Sequence, residues 1–152
     1  MGEFYIVRHA QAVDEGKWDK EDLKRPLTNG GKSNARKFFS KVFKNMPKPE
    51  VIFTSEAKRS FETAKILQKV TGAELVVEKG LNPGCDNLEY LSIVRAQDEN
   101  KVFAIVGHEP DITNFISFYT GESRLNIKMK KGAVCHIKNK VLTNLIQQDV
   151  IL

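Results

Sequence analysis

Near the start of the chain runs the stretch Phe4-Tyr5-Ile6-Val7-Arg8-His9. Residues 4–7 are bulky β-forming residues with no turn residue among them, a pattern that predicts a short buried strand. The run ends abruptly at Arg8 and His9. These two side chains are therefore expected where the chain leaves the end of a first strand.

The rest of the chain alternates strand and helix patterns. Further strands are predicted, from short runs rich in β-formers, at Val51–Thr54, Glu74–Val77 and Val102–Val106. Helices are predicted, from helical spacing and terminal signals, at residues 28–46, 55–71, 86–97 and 110–120. The alternation implies an α/β fold, a three-layer αβα sandwich with a mainly parallel central sheet.

Individual residues mark where the predicted helices begin. Thr28, Ser55 and Asp86 carry side-chain oxygens that accept a hydrogen bond at a helix N-terminus, and we expect each to cap the helix that follows it. Pro110 suits the first turn of the last helix, because its missing N–H would have no intrahelical partner there.

Two segments depart from the alternation. Residues 10–27 have no clean period and close with Arg25-Pro26, so they predict a long loop, and long loops in compact domains tend to be functional. Ala133–Ile137 and Val141–Ile146 flank Lys138-Asn139-Lys140 and predict a C-terminal hairpin or a pair of edge strands.

The composition is that of one ordinary globular domain, which we assign to residues 1–152, with 41% hydrophobic and 28% charged residues. The longest wholly apolar run, Val102–Val106, is far shorter than the roughly 20 residues that cross a bilayer, and no signal-peptide pattern opens the chain. We therefore expect a cytoplasmic protein without a membrane partner. Cys85 and Cys135 are too few for a disulfide framework, which agrees with a reducing compartment.

The net charge of +5 favours an anionic partner without identifying it. No nucleic-acid motif and no basic stretch interleaved with aromatic residues is present, so nucleic acid is not expected as a partner. The densest basic cluster, made of Arg124, Lys128, Lys130 and Lys131, is interpreted as a solvated face near the hairpin.

Chemically active side chains follow three of the predicted strands. Arg8 and His9 follow the first strand, and His108 follows the fourth. Ser55 follows the second, with Arg59 in the next helical turn. Because ligands of an open parallel sheet bind beyond the carboxyl ends of its strands, we expect these side chains to meet at one edge.

Arg59 is informative because a cation near a helix N-terminus opposes the helix macrodipole. Either the neighbouring Glu56 and Glu62 or a bound anion would compensate for it. A phosphoryl group suits the position, since arginine offers its oxygens a bidentate fork. A neutral histidine beside it can act as a nucleophile and form a phosphorylated covalent intermediate.

These residues stand in motifs that resemble those of the histidine phosphatase superfamily, which includes the phosphoglycerate mutases. Residues 4–10 resemble its Arg-His-Gly opening, residues 54–64 its Ser-x-x-x-Arg-x-x-Gln-Thr-Ala segment, and residues 106–110 its second histidine motif. The short chain, Arg25-Pro26-Leu27-Thr28 with a glycine soon after, and Leu81-Asn82-Pro83 look most like the SixA-type phosphohistidine phosphatases.

The resemblance implies a role for each matching residue. It implies that His9 is the nucleophile and that Arg8 and Arg59 clamp the phosphate. It implies that His108 donates to the phosphoryl oxygens in the transition state. Ser55 is expected beside them as a substrate-binding residue.

Two departures from the family pattern bear on the chemistry. Ala10 replaces the usual glycine, a change between small residues that we expect to be tolerated. Larger members carry a glutamate as general acid where this chain has Leu81-Asn82-Pro83. An alkoxide leaving group needs such an acid, whereas the imidazole of a phosphohistidine leaves once solvent has protonated it. Asp22 and Asp86 are candidates to replace the missing acid. The alternative is that Asp22 is an ordinary loop acid and Asp86 a helix cap. We also expect Asp22 to bind substrate.

Three functions are compatible with these residues. The first is a phosphatase that takes the phosphoryl group from a phosphohistidine-containing protein, a phosphorelay or phosphotransfer carrier, through a covalent enzyme intermediate and releases inorganic phosphate. An open loop containing Trp18 suits such a large substrate. The second is a phosphatase of small esters with Asp22 as acid, and the third is a noncatalytic phosphate or phosphoprotein binding module.

None of the three functions requires a metal ion or another cofactor, and no metal-ligand spacing is visible. The adjacent Cys135 and His136 lie in a predicted strand, so their side chains point to opposite faces and cannot chelate one metal ion. Both are interpreted as structural residues.

Overall fold

The computed structural model describes residues 2–122 and 125–152. Within these ranges six strands form one sheet: β1 (Glu3–Arg8), β2 (Val51–Thr54), β3 (Glu74–Val77), β4 (Phe103–Gly107), β5 (Val134–Lys138) and β6 (Val141–Ile146). The helices of the same ranges are α1 (Asn29–Asn45), α2 (Lys58–Thr71), α3 (Asn87–Ala96), α4 (Asp111–Thr120) and α5 (Gln148–Ile151).

The strand order is β3-β2-β4-β1-β5-β6. The first four strands in this order run parallel to one another, whereas β5 pairs antiparallel with β1 and β6 antiparallel with β5. Arg8 lies opposite Gly107, and Thr54 opposite Val106, so the carboxyl ends of β1, β4 and β2 are adjacent. The predicted α/β fold with a mainly parallel sheet and a C-terminal hairpin is confirmed.

A separate apolar cluster covers each face of the sheet. On one face α1 and α2 pack against β-strand residues that include Tyr5, Val7 and Ile52. On the other, residues of α3 and α4 pack against the alternate positions, including Phe4 and Ile6. Burial of each large apolar side chain contributes roughly 1.5 to 3 kcal/mol, which makes these two clusters the main stabilisation of the three layers.

Several helix boundaries follow the sequence signals. The Thr28 side chain accepts a hydrogen bond from the N–H of Gly31 at 2.9 Å, and Asp86 accepts one from Leu88 at 3.0 Å, as predicted for capping residues. Helix α2 ends at Gly72, whose φ of 76° is the left-handed conformation that glycine adopts without strain.

The prediction that Ser55 caps α2 is wrong. The helix begins at Lys58, and Ala57 occupies the N-cap position without a side-chain hydrogen bond. The Ser55 hydroxyl accepts the N–H of Ala57 at 3.3 Å, which stabilises the turn before the helix. Pro110 likewise precedes its helix by one residue, since α4 begins at Asp111.

The long loop over residues 10–27 contains short regular pieces that the sequence pattern did not indicate. Two 3₁₀ turns occupy Glu15–Lys17 and Asp22–Lys24, and an isolated antiparallel bridge joins Ala12 to Leu27. The bridge closes the loop at its base. The middle of the loop lies beside α2, where Asp22 accepts a hydrogen bond from Arg59.

The C-terminal hairpin turns at Asn139 and Lys140, which both have positive φ values, 52° and 62°. A two-residue turn of this conformation matches the twist of the strands that it joins. Helix α5 follows and was not predicted, because four residues are too few to show a helical period. Of the predicted basic cluster, Arg124 lies outside the described residues. In residues 2–122 and 125–152 no helix has the length and apolar character of a membrane span.

Candidate active site

Two histidines meet at the carboxyl edge of the sheet. His9 follows β1 and His108 follows β4, and their ring centroids are 5.3 Å apart. Both side chains are buried, as are Ser55 after β2 and Arg59 in the first turn of α2. We refer to His9, Ser55, Arg59 and His108 as the two-histidine site.

The hydrogen bond of His9 fixes its tautomer. Its Nδ1 lies 2.7 Å from the carbonyl oxygen of Ala10. Because a carbonyl oxygen only accepts, Nδ1 carries the proton and Nε2 carries the lone pair. Burial lowers the pKa of His9 to about 4, and the charges of Arg59 and Arg8 act in the same direction. At neutral pH this ring is therefore uncharged, with a lone pair on Nε2 that is chemically able to attack an electrophile.

His108 contacts Ser55 rather than a charged group. Its Nε2 lies 2.7 Å from the Ser55 hydroxyl oxygen, which already accepts the N–H of Ala57. The hydroxyl can donate its proton to Nε2, and in that tautomer the ring proton lies on Nδ1, a buried atom without a hydrogen-bond partner among the described residues. Burial and the neighbouring His9 lower the pKa of His108 to about 2. At neutral pH the ring is therefore uncharged.

Arg59 is held by an acid from the long loop. Its Nη1 donates to the carbonyl oxygen of Asp22 at 3.0 Å and its Nη2 to Asp22 Oδ2 at 3.1 Å. Arg25 Nε donates to the other carboxylate oxygen at 3.1 Å. Desolvation opposes ionisation of Asp22, but the bonds and charges of Arg25 and Arg59 outweigh it and lower its pKa. Asp22 is therefore a carboxylate that faces the site.

Arg8 lies at the side of the two-histidine site. Its Nη1 donates to the carbonyl oxygen of Met129 at 2.7 Å. Desolvation lowers the pKa of Arg8, against the attraction of Glu109, yet the group remains a cation at neutral pH. Its charge also lowers the pKa of both His9 and His108, so it acts electrostatically on the site.

Thr63 and Arg25 contribute to the site, although the sequence interpretation gave neither a role in it. Thr63 Oγ1 accepts the N–H of Ala10 at 3.0 Å and donates to the carbonyl oxygen of Arg59 at 2.8 Å, which joins the turn after β1 to α2. Arg25 binds Asp22 and, through Nη1, the carbonyl oxygen of Val13 at 2.8 Å. Both residues lie in the motifs that carry the family resemblance, which is the signal that could have found them.

The remaining candidates lie apart from these contacts. Cys85 is partly buried, and its pKa is raised to about 11 by burial and by Asp111, so its thiol is not a nucleophile at neutral pH. Asp86 caps α3. His136 lies on β5, and its Nε2 is 2.7 Å from the carboxylate of Glu3 on β1. Among the His, Cys, Asp and Glu side chains that the structure describes, no group of three converges as a metal site.

Comparison with known proteins identifies the family and the fold. The sequence profile of the histidine phosphatase superfamily (branch 1) matches residues 4–123. No curated protein sequence matches the chain.

Among solved structures, the protein histidine phosphatase SixA complexed with tungstate aligns with a TM-score of 0.87 at 15% identity, covering 99% of each chain. A candidate phosphohistidine phosphatase SixA from Agrobacterium tumefaciens aligns with a TM-score of 0.83 at 22% identity, covering 96% of this chain and 97% of the other. A phosphoserine phosphatase from Entamoeba histolytica, in complex with 3-phosphoglyceric acid, gives a TM-score of 0.76 at 17% identity and covers 100% of both chains. At these identities the likeness establishes the fold.

Proposed function

The chain belongs to the histidine phosphatase superfamily, and from this premise we propose that it is a phosphatase that removes the phosphoryl group from a phosphohistidine of a protein. In the first step His9 Nε2 attacks the phosphorus, and the bond from phosphorus to the substrate's ring nitrogen breaks. The departing imidazole takes its proton from solvent. In the second step water attacks the phosphorylated His9, which releases inorganic phosphate and returns the ring to its neutral state.

The single observation that carries this proposal is the state of His9. The Ala10 carbonyl holds its proton on Nδ1, 2.7 Å away, and burial holds the ring neutral with a pKa of about 4. Attack through Nε2 makes the ring cationic, and the Nδ1–H bond to the carbonyl stabilises that charge. The same contact therefore directs the nucleophile and supports the intermediate.

The neighbouring donors suit the phosphoryl oxygens. The two guanidinium N–H groups of Arg59 donate to Asp22 here and would turn to the phosphoryl oxygens, and His108 in its Nδ1–H tautomer would supply a third donor. The N–H of a neutral His108 would hydrogen-bond a phosphoryl oxygen beside the charge of Arg59 and hold the group in line for attack by His9. Arg8 adds a further positive charge at the side. The proposed reaction requires neither a metal ion nor another cofactor.

The state of Asp22 favours phosphohistidine over an ester as substrate. A general acid for an alkoxide must carry a proton at neutral pH, whereas Arg25 and Arg59 hold the pKa of Asp22 below its ordinary value. Pro83 stands where larger members of the family carry their glutamate. A leaving group that solvent protonates, such as the imidazole of phosphohistidine, needs neither acid.

The test is to mix the protein with a ³²P-labelled phosphohistidine carrier protein and to follow the label by rapid acid-free quench. We expect transient label on His9, located by mass spectrometry, and then inorganic phosphate. His9→Ala should abolish turnover. His136→Ala removes a histidine outside the two-histidine site and should retain turnover per folded molecule.

Other results would support the rival functions. Label on His108 would reassign the nucleophile. Faster turnover of phosphoserine or phosphoglycerate than of the carrier would indicate an esterase. Tight binding of the carrier without loss of its label would indicate a noncatalytic module.

A further inference from the structure

A basic groove lies beside the two-histidine site, on the side of Arg8. The groove encloses about 630 Å³, and its lining includes Arg8, Lys128, Lys130 and Lys131 together with Gln148 and Asp149 of α5. We call it the lysine groove. The sequence pattern alone indicated a solvated face for these lysines. The structure instead places them on one concave surface with an arginine of the catalytic edge.

The segment that carries the lysines is fixed to that edge. The carbonyl oxygen of Met129 accepts Arg8 Nη1 at 2.7 Å, and the N–H of Gly132 lies 3.1 Å from the Arg8 carbonyl and 2.9 Å from that of His9. Met129 itself is 1% exposed, so its side chain anchors the segment in the core. The lysines on either side therefore keep a fixed position relative to His9.

Gln147 fastens the same segment from the other side. Its Oε1 accepts the N–H of Lys130 at 3.0 Å, and its Nε2 donates to the carbonyl oxygen of Lys128 at 2.7 Å. Both amide groups of the glutamine side chain are thus used to hold the lysine backbone, which leaves the lysine side chains to point outward.

The charges in the groove are not balanced. Lys130 Nζ pairs with Asp149. Lys128 and Lys131 are exposed, and among the described residues neither ammonium group has a carboxylate within 4.0 Å. The lining side chains thus comprise four cations against one carboxylate. Because these cations lie outside the two-histidine site, they suit a ligand that extends beyond one phosphoryl group.

We propose that the lysine groove is the docking surface for an acidic face of the phosphoprotein substrate. This inference rests on the proposed function and specifies how the partner is recognised. An acidic surface around the phosphohistidine would meet Lys128 and Lys131 while the phosphoryl group enters beside Arg8. Complementary charges of this kind raise the association rate and fix the orientation of the partner.

The experiment compares two double variants on two substrates. Lys128→Glu/Lys131→Glu reverses the unpaired charges and leaves Lys130 with its partner. Lys44→Glu/Lys48→Glu makes the same charge change at the C-terminal end of α1, about 25 Å along the helix from Thr28, which lies at the active-site edge. The substrates are phosphoimidazole, which has no protein surface, and a phosphohistidine carrier protein with acidic residues around its phosphorylation site.

We expect the groove variant to lose about tenfold or more in kcat/KM on the acidic carrier, mainly through KM, and to retain turnover of phosphoimidazole. The loss should shrink as salt is added. The control variant should stay within about twofold of the wild type on both substrates.

Three results would overturn the proposal. The groove variant could hydrolyse the carrier at the wild-type rate, or lose activity on both substrates equally, or lose binding to an RNA oligonucleotide while carrier turnover is unchanged. The last would assign the groove to nucleic acid. Failure of the wild type on both substrates would instead contradict the proposed function, so the two failures are distinguishable.

Discussion

Arg59 donates two hydrogen bonds to Asp22, one of 3.0 Å to its carbonyl oxygen and one of 3.1 Å to its carboxylate. Arg59 is only 4% exposed, and the loop carrying Asp22 lies across it. These N–H groups are the ones that we propose for the phosphoryl oxygens. In the proposed reaction the carboxylate and a phosphate would compete for one arginine, so Asp22 would have to release Arg59 when substrate binds.

Asp22→Asn should tighten the binding of inorganic phosphate or vanadate by about tenfold, equivalent to about 1.4 kcal/mol, because it removes the negative charge that occupies the clamp. Turnover of a phosphohistidine carrier should be retained. Isothermal titration with vanadate and single-turnover kinetics measure the two effects. Asp19→Asn, in the same loop and exposed, should change neither. A variant that binds vanadate more weakly and loses ester hydrolysis would show that Asp22 is the acid of a small-ester phosphatase.

Arg59→Ala should weaken vanadate binding by at least tenfold, since each hydrogen bond to a charged group contributes roughly 1.5 to 3 kcal/mol. Arg59→Lys keeps the charge but loses the planar fork, so we expect an intermediate affinity. Lys65→Ala, an exposed cation on the same helix, is the matched control. Vanadate affinity equal to that of the wild type in Arg59→Ala would remove this arginine from the site.

The sheet and its layers could be predicted because each element carries a local signal. The strand at 4–7 is a continuous run of β-formers, and Thr28 and Gly72 mark helix ends by chemistry that acts over a few residues. The convergence of Arg8-His9 and His108 follows from the parallel order of the strands, which places their carboxyl ends at one edge.

The contacts between side chains of the site could not be predicted in the same way. Asp22 meets Arg59 across 37 residues of sequence and Ser55 meets His108 across 53. These pairs depend on how a loop without periodicity folds and on which rotamer a serine adopts. The sequence indicated Ser55 as a helix cap and as a substrate-binding residue, but it did not indicate that the hydroxyl contacts His108.

Ser55→Ala should lower kcat by about tenfold, because it removes the hydroxyl that we propose places the proton of His108 on Nδ1. Nitrogen NMR of the labelled protein should show the Nδ1–H tautomer of His108 in the wild type and a mixture of tautomers in the variant. Ser60→Ala deletes another buried hydroxyl, which contacts Thr54 and the Val106 carbonyl instead, and should leave the tautomer unchanged. A single Nδ1–H tautomer in Ser55→Ala would contradict this role.

The two buried histidines should make the fold sensitive to mild acid. Their folded-state pKa values, about 4 for His9 and about 2 for His108, lie below the value of about 6.5 expected in the unfolded chain. The unfolded state therefore binds more protons below pH 6.5, so the stabilising contribution is complete above that pH and is lost as pH falls toward the folded-state values. The stabilising contribution of Asp22, whose pKa is also lowered, is complete above about pH 4 and begins to be lost only below it, outside this window. Urea unfolding at pH 7.5 and pH 5 should show a loss of roughly 4 kcal/mol in the wild type and about half of that in His9→Gln. An equal loss in both proteins would show that His9 is not held neutral by the fold.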